Sequence, residues 1–421
     1  MGSKRLKAIA VRGTQKVKLA REVEFRELVK ELNRIIMAAP GRTAMREYGT
    51  NSSMAAIYEQ GDVPIKNFTK GKWDEVPNKL SGPRIAEAIV TGPRPCKFCP
   101  IGCGRWIKVR DGLYTGLTGT GPEYETTAAF GPLILNDDLH AIAKANDLCN
   151  RYGLDTISTG VTVAFAYECF ERGIISEKDT DGLELTWGRY EAMLALLEKI
   201  GNRQGIGDLL ADGSKRAGDR LGGRAKELSI HVKGLELPMH DPRAFASLAV
   251  AYSTCNRGAC HIGAPTHWVE RGMTFPELGY PEKLDRFTSE GKARLAKTLQ
   301  DFGEVMESMV ICKFILFGNA QVSHMVRLVS LSTGWDTDLK ELLSAGERSF
   351  SLKRLINVGL GISRKDDSLP RRITTLPLAA GGTDGHTPDQ ETMLNEYYKL
   401  RGWSELGIPD PRKLKDHGLD L

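Results

Sequence analysis

Three thiols fall within eight residues, at Cys96, Cys99 and Cys103, in the order C-x2-C-x3-C. Thiolates clustered this tightly in a long chain suit a metal site better than a disulfide framework. Three ligands from one turn-rich loop leave a position open, and an iron–sulfur cube held by four cysteines needs a fourth, distant one. Pro100, Gly102 and Gly104 let the backbone wrap closely and aim amide N–H groups at cluster sulfurs. Zinc is the main rival, and a buried trio with no ligand is the plain alternative. Cys312, at the end of Glu307-Ser308-Met309-Val310-Ile311-Cys312, is the best-placed distant thiol, although its apolar run also suits a small core residue. Cys149, Cys169, Cys255 and Cys260 are the other candidates.

Three further stretches could do chemistry. Glu123-Tyr124-Glu125 sets two carboxylates beside an aromatic ring, which can hold one carboxyl near neutrality for general-base work. A solvated loop with its charges outward is the plainer reading, and spacing alone favours it. Asn256-Arg257-Gly258-Ala259-Cys260-His261 puts an Arg and a His on either side of a glycine break in a helical pattern. That pair can meet an anion, and a histidine donates or accepts near pH 7; a lone His in such a pattern is more often packed or superficial. Asn150-Arg151-Tyr152-Gly153-Leu154-Asp155 joins a helix end to a helix start. Amides there could grip a polar heterocycle, but Gly153 as C-cap and Asp155 as N-cap need no ligand.

The elements that must carry these residues read as mostly helical. Leu28, Val29, Leu32, Ile35 and Ile36 follow a 3.6-residue period within Glu22–Ala39, and Pro40-Gly41 is expected to stop that helix. Helical patterns recur at Asp137–Tyr152, from Asp155 to about Arg172, and over Thr186–Gly201, Ala211–Leu221 and Phe245–Ser253. They return in 281–300, 303–318, 320–333, 338–357 and Glu391–Arg401. Trp106–Val109 and Leu113–Gly116 look like a hairpin around Asp111-Gly112, and Leu228–Leu237 is extended. The tail from Gly407 reads as irregular. Leu6–Val11 reads as a short strand behind a basic lead, and a lone strand needs a sheet that the rest of the chain does not supply.

The 421 residues are 41% hydrophobic and 26% charged, enough ordinary chain for two or three domains. A net charge of +5, interspersed and without a basic block, does not indicate nucleic acid. No apolar run approaches the ~18 residues of a membrane-spanning helix. Eight cysteines without a signal-peptide pattern point to a reducing, cytoplasmic setting.

Taken in order, these stretches resemble the aldehyde ferredoxin oxidoreductase family of tungsten–pterin enzymes. The resemblance is carried by the Cys96–Cys103 loop, Glu123-Tyr124-Glu125-Thr126, Gly153 through Gly160, Lys233-Gly234-Leu235-Glu236 with His240-Asp241-Pro242-Arg243, Arg257-Gly258 through His261, and Cys312. It implies a mainly α chain made of the family's two helical domains, over 22–230 and 231–421. Residues 1–21 would be the remnant strand of the N-terminal β domain, which would then lie on a separate chain or be lost. It implies a [4Fe–4S] cluster on Cys96, Cys99, Cys103 and Cys312, and a bis-pterin cofactor carrying tungsten or molybdenum. The family's pterin motifs have the forms D-x-x-G-L-D and D-x-x-G-L-C. Here the first has Asn150 for the leading Asp and keeps Gly153, Leu154 and Asp155; the second has Glu307 for Asp and Val310-Ile311 for Gly-Leu. Arg257 joins the cofactor contacts, and Glu125 and His261 match the catalytic carboxylate and the histidine beside the metal. The implied activity is oxidation of an aldehyde to a carboxylic acid, with electrons passed to ferredoxin. The alternatives are a tungsten-dependent aromatic acyl-CoA reductase subunit and a non-catalytic iron–sulfur electron-transfer protein.

Overall fold

The computed structural model describes residues 4–419. Helices dominate as expected, and the described strands form one three-stranded antiparallel sheet and one two-stranded ribbon. The sheet runs β1 (Val90–Pro93), β2 (Arg105–Lys108), β3 (Thr118–Thr120), with Trp106 opposite Thr120 and Gly92 opposite Trp106. The cysteine loop is the connection from β1 to β2, so the sheet holds both its ends. The Arg94 N–H donates to the Gly104 carbonyl at 2.6 Å and closes the loop's neck. Arg105, only 1% exposed, donates to the Cys103 carbonyl at 3.0 Å and the Pro122 carbonyl at 2.8 Å. Gly49, at φ +62°, makes room for it: a Cβ there would sit 0.7 Å from Arg105 Nη1. A buried cation that satisfies carbonyls in this way fixes the loop's exit from the sheet.

A second arm comes from the C-terminal half. Helix Lys292–Ser308 ends in a turn through Val310, at φ +56°, with the Ile311 N–H on the Met306 carbonyl at 3.0 Å. The chain then passes Cys312 into the 3-10 helix Lys313–Gly318, which packs on helix Glu22–Ala38. A Cβ on Gly318 would lie 2.8 Å from Ile36 and 3.2 Å from Ile101, and Ile101 belongs to the cysteine loop. The close approach at Gly318 is therefore what carries Cys312 to the loop.

Helix Tyr124–Phe130 lies against Thr156–Glu171, a helix apolar on nearly every side and buried accordingly. At their crossing a Cβ on Gly160 would fall 2.6 Å from the Ala129 Cβ, so glycine sets how closely the two backbones approach. Gly153 caps the preceding helix at φ +70°, and Asp155 accepts from the Ser158 N–H at 2.8 Å, both as the sequence predicts. In the C-terminal half, Ser247–Thr254, Lys292–Ser308, Leu339–Gly359 and Gln390–Arg401 pack together. Arg401 is buried there on Asp301, at 2.5 Å. One contiguous hydrophobic cluster draws on residues from Leu28 to Trp403.

Several local expectations change. Pro40 ends the first helix but is also the first residue of the next, Pro40–Tyr48, because proline's missing N–H is an orphan there in any case. The patterns at 281–300 and 303–318 become one helix, Lys292–Ser308, flanked by loop and 3-10 turn. The hairpin partners of Trp106–Lys108 are β1 and β3 rather than 113–116. The tail holds a short helix at Pro411–Asp416. Residues Leu6–Val11 carry no regular structure, are exposed, and form no ladder with the other described residues.

Candidate functional site

Cys96, Cys99 and Cys103 line the β1–β2 loop, and Cys312 arrives on the second arm. Cys96 and Cys312 are exposed, while Cys99 and Cys103 are half-buried against the core. Burial pushes the Cys103 thiol up to about 12, with further upward contributions from Glu123, Cys312, Cys99 and Cys96. The four thiols are near enough to act on one another's charge. They do not converge as tightly as ligands of one small ion: among the described residues, only Glu125, His240 and His261 bring three ligand atoms within 4.8 Å of one another. A single zinc at about 2.3 Å from each sulfur would need the thiols closer than that. The other four cysteines are buried, Cys149 and Cys169 in the core.

Glu125 is not in a solvated loop. It sits in the first turn of helix Tyr124–Phe130, with its side chain 14% exposed, while Glu123, two residues earlier at the N-cap, keeps 44%. Packing against the Thr156–Glu171 helix turns the Glu125 carboxylate inward. Burial raises its pKa to about 7, against the lowering effects of His240 and of the Met239 N–H, which donates to Oε2 at 2.7 Å. The other oxygen, Oε1, is buried without a hydrogen bond. It faces His261 Nε2 at 3.2 Å and His240 Nε2 at 3.5 Å.

Gly258, at φ +105°, breaks the chain after helix Ser247–Thr254; a Cβ there would meet the Val232 carbonyl at 2.5 Å. The break turns His261 toward Glu125. Burial, then the charges of His240, Arg257 and Lys313, keep His261 well below its ordinary pKa, so it is a neutral imidazole at pH 7 and not the titrating group its type suggests. Cys260 accepts from the Gly263 N–H at 3.2 Å. The neighbouring Cys255 thiol and Arg257 favour its thiolate, while the Cys255 pKa is raised in turn.

Arg257 and Glu307 line one cavity of about 600 Å3 together with Asn256, Glu304, Lys353 and Asn357. Asn256 Oδ1 is buried there with no partner. Glu307 accepts from Lys313 Nζ at 2.8 Å. Asp155 lies outside this cavity but near enough to act on the charges of both Glu125 and Arg257. Asn150 is exposed and meets Thr120 Oγ1 at 3.4 Å; Gly153 is exposed, and Leu154 and Ile311 are half-buried. Asp155 itself works as an ordinary helix cap.

The family model described as aldehyde ferredoxin oxidoreductase, domains 2 and 3, matches residues 27–419. The chain belongs to the aldehyde ferredoxin oxidoreductase family. It is 38% identical over its whole length to the tungsten-containing aldehyde ferredoxin oxidoreductase of Pyrococcus furiosus, covering 68% of that protein. It is 36% identical to the enzyme of the same name from Thermococcus kodakarensis, again covering 68%. An aliphatic sulfonate oxidoreductase, WOR-like subunit, of Pyrococcus furiosus is 26% identical, with 65% of it covered. The active-site complex of benzoyl-coenzyme A reductase with 1,5-dienoyl-CoA has the same fold, with a TM-score of 0.73 at 21% identity over 97% of this chain and 67% of that one. Within this aldehyde ferredoxin oxidoreductase family member, two residues at the site escape sequence reasoning. His240 was visible only as part of the His240-Asp241-Pro242-Arg243 stretch, and Asp62, which contacts it at 2.6 Å, carries no local signal at all.

Proposed function

We propose that this chain supplies the two helical domains of an enzyme that oxidises an aldehyde to a carboxylic acid and passes the electrons to ferredoxin. The single observation that carries this reading is Glu125, a buried carboxyl held near pH 7 with one unpartnered oxygen toward a neutral histidine. Cys96, Cys99, Cys103 and Cys312, all free thiols, would hold a [4Fe–4S] cluster, and their donor type fits it. Arg257, Glu307 and the unpartnered Asn256 Oδ1 line a cavity that fits a polar heterocycle, while Asn150, Gly153, Leu154, Asp155 and Ile311, outside that cavity, are pterin contacts proposed from the family's motifs alone. The tungsten–pterin group would supply the two-electron redox change.

The chain's own residues do the acid–base work. Aldehyde plus water gives acid, two protons and two electrons, so a base must take a proton from the attacking water. Glu125 as carboxylate does so from Oε1. His261, neutral, donates its ring N–H to an oxygen of the reacting group and so fixes its orientation. Domain boundaries at 22–230 and 231–421 are part of this reading, as is assembly with a β domain, in the same protein or as a separate chain, since the relatives are longer than the stretch matched here.

The test is co-expression with a β-domain partner under anaerobic, tungsten-supplied conditions, followed by metal analysis and dye reduction with aldehydes. Tungsten and about four irons per chain, with aldehyde-dependent dye reduction abolished by Glu125→Gln, are expected. Iron without tungsten under every condition would replace this reading with an electron-transfer protein. Tungsten with acyl-CoA turnover and none with aldehydes would replace it with a reductase.

A further inference from the structure

Glu125 is one end of a longer buried chain of groups. His240 Nε2 faces Glu125 Oε1 at 3.5 Å, and its other nitrogen, Nδ1, lies 2.6 Å from Asp62 Oδ2. Asp62 is 0% exposed and is itself held, because Oδ1 accepts the Asp241 N–H at 3.1 Å. The backbone on both sides of His240 is fixed as well: Met239 N–H is on Glu125 Oε2, and the Tyr252 hydroxyl donates to the His240 carbonyl at 3.1 Å. Tyr124 and His267 pack at a tilt against the His240 ring with centroids 5.0 and 4.6 Å away.

This arrangement is more than a prop for the 239–243 turn. That turn already has its own ties. Arg243 clamps Asp241 at 2.6 Å and donates to the Phe68 and Leu376 carbonyls, and the Asp241 N–H also reaches the Asp62 carbonyl at 3.0 Å. An aspartate on Nδ1 does something a backbone tie does not. It fixes the proton of the neutral ring on Nδ1, so that Nε2, toward Glu125, is the nitrogen that gains and loses the second proton.

We propose that Asp62 and His240 form a proton relay behind Glu125, with Asp62 as positioning residue and His240 as the acceptor that empties Glu125 during turnover. In this step the O–H bond at Glu125 Oε1 breaks and an N–H bond forms at His240 Nε2. No electrons move; the imidazolium sits between two carboxylates and, with the fully buried Asp62 behind it, gives the proton back through Glu125, whose side chain is 14% exposed, once product has left. Two protons are released per aldehyde oxidised, so a single carboxylate must be cleared between them. The 3.5 Å gap suits a catalytic contact in a structure without substrate, which shortens around the reacting group. The inference rests on Glu125 being the base of aldehyde oxidation.

The surrounding groups sort the proton correctly. Burial works against the charged form of His240, but Asp62, by charge and hydrogen bond, and Glu125 raise its pKa overall, with Arg271 opposing them. His261 and His267 are held neutral, so neither competes for the proton. Tyr124 and Tyr252 are pushed far up and stay as phenols. Arg271 stands beside Asp62 and Tyr124 and keeps that end of the chain electrically balanced.

The test has two arms. In the first, the chain labelled with 15N-histidine is titrated by NMR, with His240→Gln assigning the resonance. Asp62→Asn is expected to lower the His240 midpoint by about one pH unit or more and to move its neutral form toward the Nε2–H tautomer; Asp62→Glu is expected to restore both. In the second, the loaded enzyme is assayed across pH. Asp62→Asn and His240→Gln are expected to lower kcat at least tenfold with KM little changed, and Asp62→Glu to recover part of it. If wild type oxidises aldehydes and Glu125→Gln does not, but Asp62→Asn matches wild type in kcat, pH profile and His240 titration, the relay is wrong and the base assignment stands. If Glu125→Gln keeps full activity, the base assignment fails and the relay fails with it. A variant that misfolds is recognised by loss of the other histidine resonances, and Asp62→Glu then decides.

Discussion

Replacing Glu125 by Gln tests the central acid without any cofactor. Its carboxyl titrates at about 7 in the folded chain, against an ordinary value of 4.5. A raised carboxyl pKa means that ionisation is resisted by the fold. Below pH 4.5 the group is neutral in both states and costs nothing. Between 4.5 and 7 the unfolded chain ionises first, so wild type loses stability as pH rises, and above 7 the loss is complete. The shift of about 2.5 units corresponds to roughly 3 kcal/mol. Glutamine keeps an oxygen for the Met239 N–H, fills nearly the same volume and never ionises. Denaturant unfolding of the chain, followed by tryptophan fluorescence from pH 5 to 8, should therefore show the variant gaining on wild type by up to about 3 kcal/mol. In the loaded enzyme, the fraction of Glu125 present as base rises about tenfold from pH 6 to pH 8. Wild-type kcat should follow it, and the variant should lose about 100-fold or more. Parallel stability curves for the two proteins across this range would refute the reasoning, because Glu125 would then ionise as an ordinary surface carboxylate.

Other outcomes follow from the same contacts. Cys312→Ala should lower reconstituted iron and change the cluster spectrum, whereas Cys149→Ala, in the core, should leave both unchanged; equal iron in all three proteins would remove Cys312 from the ligand set. Gly49→Ala meets Arg105 Nη1 at 0.7 Å from a backbone at φ +62°, so the Arg105 side chain must leave its carbonyl partners. A loss of at least 1–3 kcal/mol and faster proteolysis in 94–104 are expected, read by denaturation and limited digestion. Arg401→Met leaves the buried Asp301 with only Lys297 Nζ, at 2.9 Å, and should cost about 3 kcal/mol, while the added change Asp301→Leu should recover part of it; a double variant no better than the single would contradict the ion-pair account.

What could be read without coordinates was local or type-specific. The first helix, Glu22–Ala38, follows from the 3.6-residue period of Leu28, Leu32 and Ile36, which the structure buries. Gly153 and Asp155 cap their helices because capping depends on neighbours in sequence. The cysteine loop announces itself, since three thiols at fixed spacing constrain one another along a few residues of chain. The order of motifs added the family and with it Cys312, Glu125 and His261.

The tertiary structure decided everything that depended on burial or on distant partners. Glu123 and Glu125 are alike in sequence, but only Glu125 turns inward, because Gly160 lets helix Thr156–Glu171 close onto its helix. Leu6–Val11 has a strand's pattern yet forms no ladder among the described residues, because pairing requires an edge elsewhere. His261 belongs to a residue type that titrates near 7, and it is neutral here because the cationic side of the site and its own burial disfavour charge. His240 meets Asp62 across 178 positions of sequence. No local pattern encodes such a pair, since the free energy that holds it arises only when two remote segments exclude water from the same place.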